Sequence, residues 1–243
     1  MKSISFFVLL CCMAAGTVAQ QKQPKIFRPF YFNFGLNMPA GNFGTSPLYG
    51  NNIKQNVLAG YYGAKQGYLF ELGTRIYFNK ADQKLRYGLD WTFISATYNG
   101  MDWSAYSSSK GGTIGDSRII GLSSKLGPVL SYNIIDKLVV DAHFQAAPTL
   151  QYATLDYYHD INTSNYETFH FTADNLTDIL GIKTGAGISV RWGVIGVSAD
   201  YFNGSVQSAY HYTNTATGEG DNTTPVKQKI SSSSMQLKLS LNL

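Results

Sequence analysis

Ten ionisable side chains alternate with large apolar residues along the chain, and their chemistry needs explaining first. Acidic and basic members are both present: Glu71, Arg75, Arg86, Asp90, Lys125, Asp141, Lys183, Arg191, Asp200 and Lys238. A charge is tolerated away from water when a counter-charge lies close to it. The set therefore predicts a structural charge network that fills an enclosed space.

The histidines are the other candidates for chemistry. His143 follows Asp141 by two residues and is predicted to be an interior side chain with satisfied partners. His159 and His170 lie in a stretch that also holds Ser164, so a nucleophile–base pair there is an alternative. The sequence contains no serine-hydrolase elbow and no recognised metal-ligand spacing. We therefore predict no catalytic, cofactor-binding or metal site, and that the chain is not an enzyme.

The elements that position these residues are predicted by strict alternation of apolar and polar residues. Successive side chains of a strand point to opposite faces. The last segment is an example, in which Met235, Leu237 and Leu239 alternate with Gln236 and Lys238. The pattern predicts eight strands, at about 30–37, 67–78, 85–98, 120–133, 138–152, 180–191, 194–202 and 235–243.

The connections between these strands alternate in length. Short turns are expected at 79–84, 134–137 and 192–193, whereas long connections rich in Asn, Ser, Thr, Gly and Tyr are expected at 38–66, 99–119, 153–179 and 203–230. That composition favours turns and exposed coil. Short turns at one end and long loops at the other are typical of membrane barrels. The predicted fold is all-β, an eight-stranded antiparallel up-and-down transmembrane β-barrel.

A register follows for the second and third strands. Residues that pair directly must share a face, so their numbers must here sum to an odd value. A tight turn that pairs Asn79 with Lys84 satisfies this condition. The same register predicts that Arg75 and Asp90 are diagonal neighbours on the inner face.

The apolar face is predicted to lie outside. Its aromatic and leucine side chains have more bulk than a narrow eight-stranded interior holds. A charge facing lipid costs about 2–4 kcal/mol at the bilayer midplane, so the ten ionisable residues are expected in the lumen. Tyrosines near strand ends predict interfacial girdles, although Tyr31 falls on the polar face. A soluble secreted barrel, with the faces exchanged, is the alternative.

The start of the chain predicts export. A positive charge at Lys2 is followed by an apolar stretch and by small residues up to Ala19. This pattern is typical of a secretory signal peptide, so we expect a signal at 1–19 and a barrel domain at 20–243. Both cysteines of the chain fall within the signal. A lipidated cysteine at position 11 is the alternative.

Composition excludes other classes of protein. Charged residues make up 14% of the chain, and its formal net charge is +4. No basic run interleaved with aromatic residues occurs, so nucleic-acid binding is not expected. After the signal, no apolar run approaches the roughly 18 residues that a membrane helix needs.

Three segments carry a resemblance to a known group of proteins: Phe34–Phe43 after the first strand, Lys125–Pro128 in the fourth, and the terminal strand. With the overall pattern, they resemble the small outer-membrane β-barrel proteins of Gram-negative bacteria, in particular the PorT-like and general barrel families of Bacteroidota. The resemblance implies a monomer in the outer membrane, whose last strand is read by the barrel-insertion machinery. Leu243 stands where an aromatic residue is usual.

The resulting functional prediction is a structural or surface-binding barrel. Its partners would be the lipid bilayer and an extracellular ligand held by the long loops, with no cofactor. Two alternatives stay open: a lipid-modifying outer-membrane enzyme that uses a loop histidine, and a narrow transport pore.

Overall fold

The computed structural model describes residues 27–80, 82–220 and 225–243. The predicted signal at 1–19 lies outside the described residues. The strands, numbered in chain order, are β1 Phe30–Ala40, β2 Gly67–Tyr77, β3 Leu85–Gly100, β4 Thr113–Ile114, β5 Arg118–Ile135, β6 Leu138–Thr154, β7 Asp156–Asn162, β8 Asn165–Thr172, β9 Leu180–Trp192, β10 Ile195–Asn214, β11 Val226–Ser231 and β12 Ser233–Asn242.

Eight of these strands close into a ring, and the predicted eight-stranded antiparallel barrel is confirmed. The ring runs β12-β1-β2-β3-β5-β6-β9-β10 and returns to β12. The seam between the first and last strands is continuous from the pair Tyr31 and Asn242 to the pair Ala40 and Ser233. Because this ring leaves no barrel strand at an edge, every barrel strand has two hydrogen-bonded neighbours.

The two faces of the barrel differ as the alternation predicts. Along the seam Phe34 is 52% exposed and Leu239 is 61% exposed, whereas Asn33 and Ser240 are buried. All ten ionisable residues face inward. Nine of them are buried, and Lys183, which is half-buried, contacts the lumen residues Gln151 and Ser232. A charged interior inside an apolar exterior is typical of a transmembrane barrel.

The register of β2 with β3 differs from the prediction. Arg75 and Asp90 are directly opposite each other, not diagonal. The turn is wider than expected because the side chain of Asn79 replaces backbone pairing: its Nδ2 donates to the carbonyl oxygen of Leu85 at 2.7 Å, and its Oδ1 accepts from the backbone N–H of Tyr87. The odd sum of paired numbers, 75 and 90, agrees with the face rule.

A β-bulge interrupts the pairing of β2 with β3. The register shifts between Leu72 and Gly73, and the neighbouring Phe93 and Ile94 of β3 are both exposed. Because of the extra residue, the outward residues of β3 are odd-numbered before the bulge and even-numbered after it, so Tyr98 lies outward. Simple alternation could not have predicted this change.

The long connections fold into a cap over one end of the barrel. They contain the short helices α1 (Ile53–Leu58) and α2 (Ser104–Lys110), 3-10 turns at Gly41–Gly44 and Leu176–Asp178, and four strands outside the ring. Within the described ranges no helix has the length and apolar character needed to cross a membrane. We call the end with the cap the loop end and the other the turn end.

The prediction that these connections are exposed coil was wrong. The cap has its own apolar core, in which Tyr157, Phe169, Tyr210 and Tyr212 are each at most 4% exposed. The reason is that β10 continues to Asn214, beyond the predicted end near 202, and pairs with β8 and β11 above the barrel. Its inner face then buries aromatic residues that a composition rich in Ser and Asn had assigned to solvent.

Candidate functional site

The centre of the lumen is organised around Glu71, which is fully buried on β2. Lys125 of β5 reaches its Oε1 at 2.5 Å, and Lys238 of β12 reaches its Oε2 at 2.8 Å. Asn33 and Ser95 donate the two remaining hydrogen bonds, at 2.9 and 3.1 Å. The lysines come from strands that lie two positions away on either side of β2, so this cluster ties half of the ring together.

Asp200 extends this cluster across the lumen. Its carboxylate forms an ion pair with Lys238, and the Nε2 of His143 lies 3.2 Å from its Oδ1. The sequence placed His143 near Asp141, but the structure brings it to Asp200, because the side chain of Asp141 is taken by other partners. Lys238 thus bridges the carboxylates of Glu71 and Asp200.

A second cluster fills the turn end. Arg191 donates two hydrogen bonds to the carboxylate of Asp141, of 2.6 Å from Nε and 2.7 Å from Nη2. Arg75 lies 3.9 Å from the same carboxylate and 3.5 Å from that of Asp90. Tyr31 donates a hydrogen bond of 2.6 Å to Asp90. Tyr31 is therefore a lumen residue, and it does not belong to an interfacial girdle.

The other two ionisable residues, Arg86 and Lys183, also contact neutral groups. Arg86 stacks over the ring of Tyr77 at 4.3 Å and donates to the carbonyl oxygen of Asn79 at 3.1 Å. Lys183 donates to Gln151 at 3.1 Å and to Ser232 at 2.8 Å. Six basic and four acidic side chains therefore share the lumen.

Among the residues that the structure describes, these clusters leave little free space. A cavity of about 30 Å³ lies toward the loop end and one of about 10 Å³ toward the turn end, which is room for about two water molecules and one. Lys125 lines the first and Lys238 the second, and Glu71 binds both, so the layer of these three residues separates the two cavities. The lumen is filled, as expected for eight strands.

The cap covers the larger cavity. Phe43 and Ile119 belong both to the cap core and to the wall of that cavity. Above them, Trp103 is 1% exposed, and its indole N–H donates to the carbonyl oxygen of Tyr62 at 2.9 Å. The cap is therefore a packed unit that closes the loop end.

Two cap loops are also joined by a polar contact at Asp102. Its Oδ1 accepts 2.6 Å and 3.2 Å hydrogen bonds from the hydroxyl and backbone N–H of Ser104, and its Oδ2 lies 3.0 Å from the ammonium group of Lys65. The Ser104 hydroxyl and then Lys65 lower the pKa of Asp102 to about 2. This carboxylate is therefore charged at neutral pH.

The structure does not assemble the suggested nucleophile–base pair. Ser164 lies in the turn between β7 and β8, where its backbone N–H donates to Asn162 at 3.0 Å. His159 is opposite Glu167, and His170 is at the far end of the same hairpin, opposite Asp156. Among the described residues, no hydrogen bond joins Ser164 to either histidine.

The hairpin instead forms a row that sequence reasoning missed. Asp156 of β7, His170 of β8 and His211 of β10 are directly opposite one another in successive strands, on the outward face. The imidazole rings of His170 and His211 stack with their centroids 4.9 Å apart. His211 was not singled out, since only the pairing of β8 with β10 reveals its neighbour. Partial burial, followed by the nearby His211, lowers the pKa of His170.

Comparisons with known proteins give few matches. No family model matches the sequence, and no curated protein matches it. Among solved structures, the outer membrane enzyme PagL is similar, with a TM-score of 0.43 and 11% identity over 88% of this chain and 99% of that one. The P. putida toluene transporter TodX is more distant, with a TM-score of 0.19 and 12% identity over 88% of this chain and 78% of that one.

The comparison with PagL corrects one prediction. We expected from the lack of catalytic motifs that the chain is not an enzyme, and this exclusion was wrong, because an outer membrane enzyme is among the similar structures. At this distance the likeness concerns the barrel and assigns no reaction. The closed ring, its apolar exterior and its charged lumen make this chain an eight-stranded β-barrel of the outer-membrane type.

Proposed function

We propose that this protein is an outer-membrane barrel with a closed lumen, whose folded cap binds a ligand at the cell surface. The observation that carries the proposal is the cap itself. Its core is packed beneath an outer surface that still exposes tyrosines. An ordered surface loses less entropy on binding than flexible loops do.

Tyr158 and Tyr166 form the most defined part of this surface. They are 46% and 36% exposed, and their rings stack with centroids 6.2 Å apart. The hydroxyl of Tyr158 donates to Asp160 at 2.6 Å, which orients the ring. Both residues lie on the β7–β8 hairpin, which is held against β10. Rigid tyrosines supply a large contact area at low entropic cost, as they do in antibody binding loops.

The binding role is tested by presenting the purified protein, in detergent, to arrays of surface glycans and extracellular proteins. We expect a signal that the double variant Tyr158→Ser, Tyr166→Ser loses. The matched control is Tyr87→Ser, an exposed tyrosine at the turn end, which should keep the signal. If both variants bind like the wild type, the tyrosine pair is not the recognition surface.

The cellular location is part of the same proposal. Segment 1–19 would direct export, and β12 would be read by the barrel-insertion machinery to place a monomer in the outer membrane. The sequence resemblance to PorT-like barrels of Bacteroidota supports this assignment. Fractionation is the direct test, since the mature protein should stay with outer membranes until detergent releases it. Recovery in the soluble fraction without detergent would contradict it.

A lipid-modifying activity is the second candidate, and the row of Asp156, His170 and His211 favours it. A carboxylate opposite an imidazole can orient that ring as a general base. The row lies on the outward face, the same face that meets lipid farther down the barrel. The test compares membrane lipids of cells that carry the wild type, His170→Ala or His159→Ala. A lipid change lost only with His170→Ala would support catalysis.

A further inference from the structure

His170 and His211 lie side by side, and such a pair of imidazoles can bind a ligand that neither surface recognition nor lipid modification requires. Two imidazoles directly opposite each other on neighbouring strands have Cβ atoms about 4.5–5.5 Å apart. Here the rings themselves are 4.9 Å apart between centroids and inclined by 27°. The two side chains are thus already in contact on the outward face.

This spacing suits a shared metal ion. Imidazole nitrogens bind zinc at about 2.0–2.1 Å, so two nitrogens that share one ion lie within about 4 Å of each other. The χ2 angle of histidine is broad and His170 is exposed, so its ring is free to turn and direct a nitrogen toward an ion shared with His211.

The surroundings of the pair agree with a metal site. In the described part of the chain, the Nδ1 of His211 is buried and has no hydrogen-bond partner. An ion between the rings would give it one. Asp156 lies opposite His170 on the other side, where a carboxylate commonly accepts a hydrogen bond from the second nitrogen of a metal-bound imidazole.

We propose that His170 and His211 form a two-imidazole site for a first-row transition-metal ion, with Asp156 as the carboxylate beside it. Water molecules complete the coordination, because the outward face is open to solvent at His170. Imidazole ligands suit Cu²⁺, Zn²⁺ and Ni²⁺, and Cu²⁺ should bind most tightly. The ion would stand above the lipid-facing surface, at the base of the β7–β8 hairpin.

The test uses untagged full-length mature protein in detergent, with Cu²⁺ as the probe in electron paramagnetic resonance and Zn²⁺ in competition with a fluorescent chelator. We expect one Cu²⁺ per chain with coupling to two nitrogens. His170→Ala and His211→Ala should each remove one nitrogen coupling. Asp156→Asn should weaken binding by about 10- to 100-fold, the usual cost of losing such a neighbour.

His159→Ala is the matched control, because it removes an imidazole from the same hairpin outside the row, and it should leave the spectrum unchanged. Heat-modified mobility on gels checks that each variant is folded. The proposal is overturned if the wild type binds no Cu²⁺ at one equivalent, or if the double variant His170→Ala, His211→Ala gives the wild-type spectrum. Metal binding is read out separately from lipid profiles and array binding, so it can fail while either proposed role stands.

Discussion

At the scale of single residues, two lumen carboxylates each form ion pairs with two cations. Glu71 binds Lys125 and Lys238, and Asp141 binds Arg191 and Arg75. Removing one member of a buried ion pair leaves an uncompensated charge, which is more costly than the pair itself is favourable. The carboxylates are therefore the sensitive members of each cluster.

Glu71→Gln should lower the free energy of unfolding by about 3–5 kcal/mol, because two buried ammonium groups lose their counter-charge. Urea unfolding in lipid vesicles, followed by tryptophan fluorescence, measures the change. Glu219→Gln is the control: its ion pair with Lys54 is exposed, at 3.3 Å, and should contribute about 1 kcal/mol or less. Equal losses in the two variants would contradict the central role of Glu71.

Asp102 gives a prediction about pH. Its pKa is lowered to about 2, below the value of about 3.9 for a free aspartate. The stability that this carboxylate contributes is therefore complete above about pH 4 and is lost as the pH falls toward 2. NMR titration of the carboxyl carbon should show the low midpoint, and Ser104→Ala should raise it. An unchanged midpoint in Ser104→Ala would exclude the Ser104 hydroxyl as the main cause.

At the scale of elements, the barrel and its cap are held by different forces. The barrel relies on closed strand pairing and on buried charges, whereas the cap has an apolar core that includes Trp103 and Tyr106, whose rings meet edge to face at 5.3 Å. The two units meet at Phe43 and Ile119, above the larger cavity. Damage to the cap core should therefore spare the barrel.

Trp103→Ala tests that separation. Truncating a fully buried tryptophan costs about 3–5 kcal/mol, so the cap should open and become sensitive to protease while the heat-modified mobility of the barrel persists. Trp192→Ala is the control, since Trp192 is 58% exposed on the barrel exterior. Loss of both protease resistance and barrel mobility in Trp103→Ala would show that cap and barrel fold as one unit.

At the scale of the whole molecule, two barriers lie along the barrel axis in the described part of the chain. The layer of Glu71, Lys125 and Lys238 separates the two small cavities, and the cap covers the loop end. Neither cavity holds more than about two water molecules. A continuous water path would require both barriers to move.

Planar-bilayer recordings should therefore be silent for the wild type at ordinary voltages. The triple variant Glu71→Ala, Lys125→Ala, Lys238→Ala, which empties the central layer, should leave more room for water and is the informative comparison. Stable conductance steps in the wild type would contradict a closed lumen and would favour the transport alternative.

Alternation along the sequence is enough to predict the barrel, its number of strands and which face is apolar. Alternation is a local property, so the residues next to Phe34 and Lys238 in the sequence are enough to predict which face each side chain occupies. Even the ten inward charges could be named, although not their partners. The direct pairing of Arg75 with Asp90 was not predicted, because the side chain of Asn79 widens the turn. The bulge at Leu72 and Gly73 was not predicted either, because alternation does not indicate where an extra residue is inserted.

The cap and the row of Asp156, His170 and His211 depend on tertiary contacts and could not be predicted. Tyr157 and Tyr210 look like surface tyrosines in a stretch rich in Ser and Asn, but β10 continues past the ring and brings β7, β8 and β11 alongside it. Pairing between strands that are distant in sequence depends on where the chain returns, which composition does not encode. The charges could be predicted because they follow a period of two residues, whereas the candidate metal site could not, because its ligands meet only across strands.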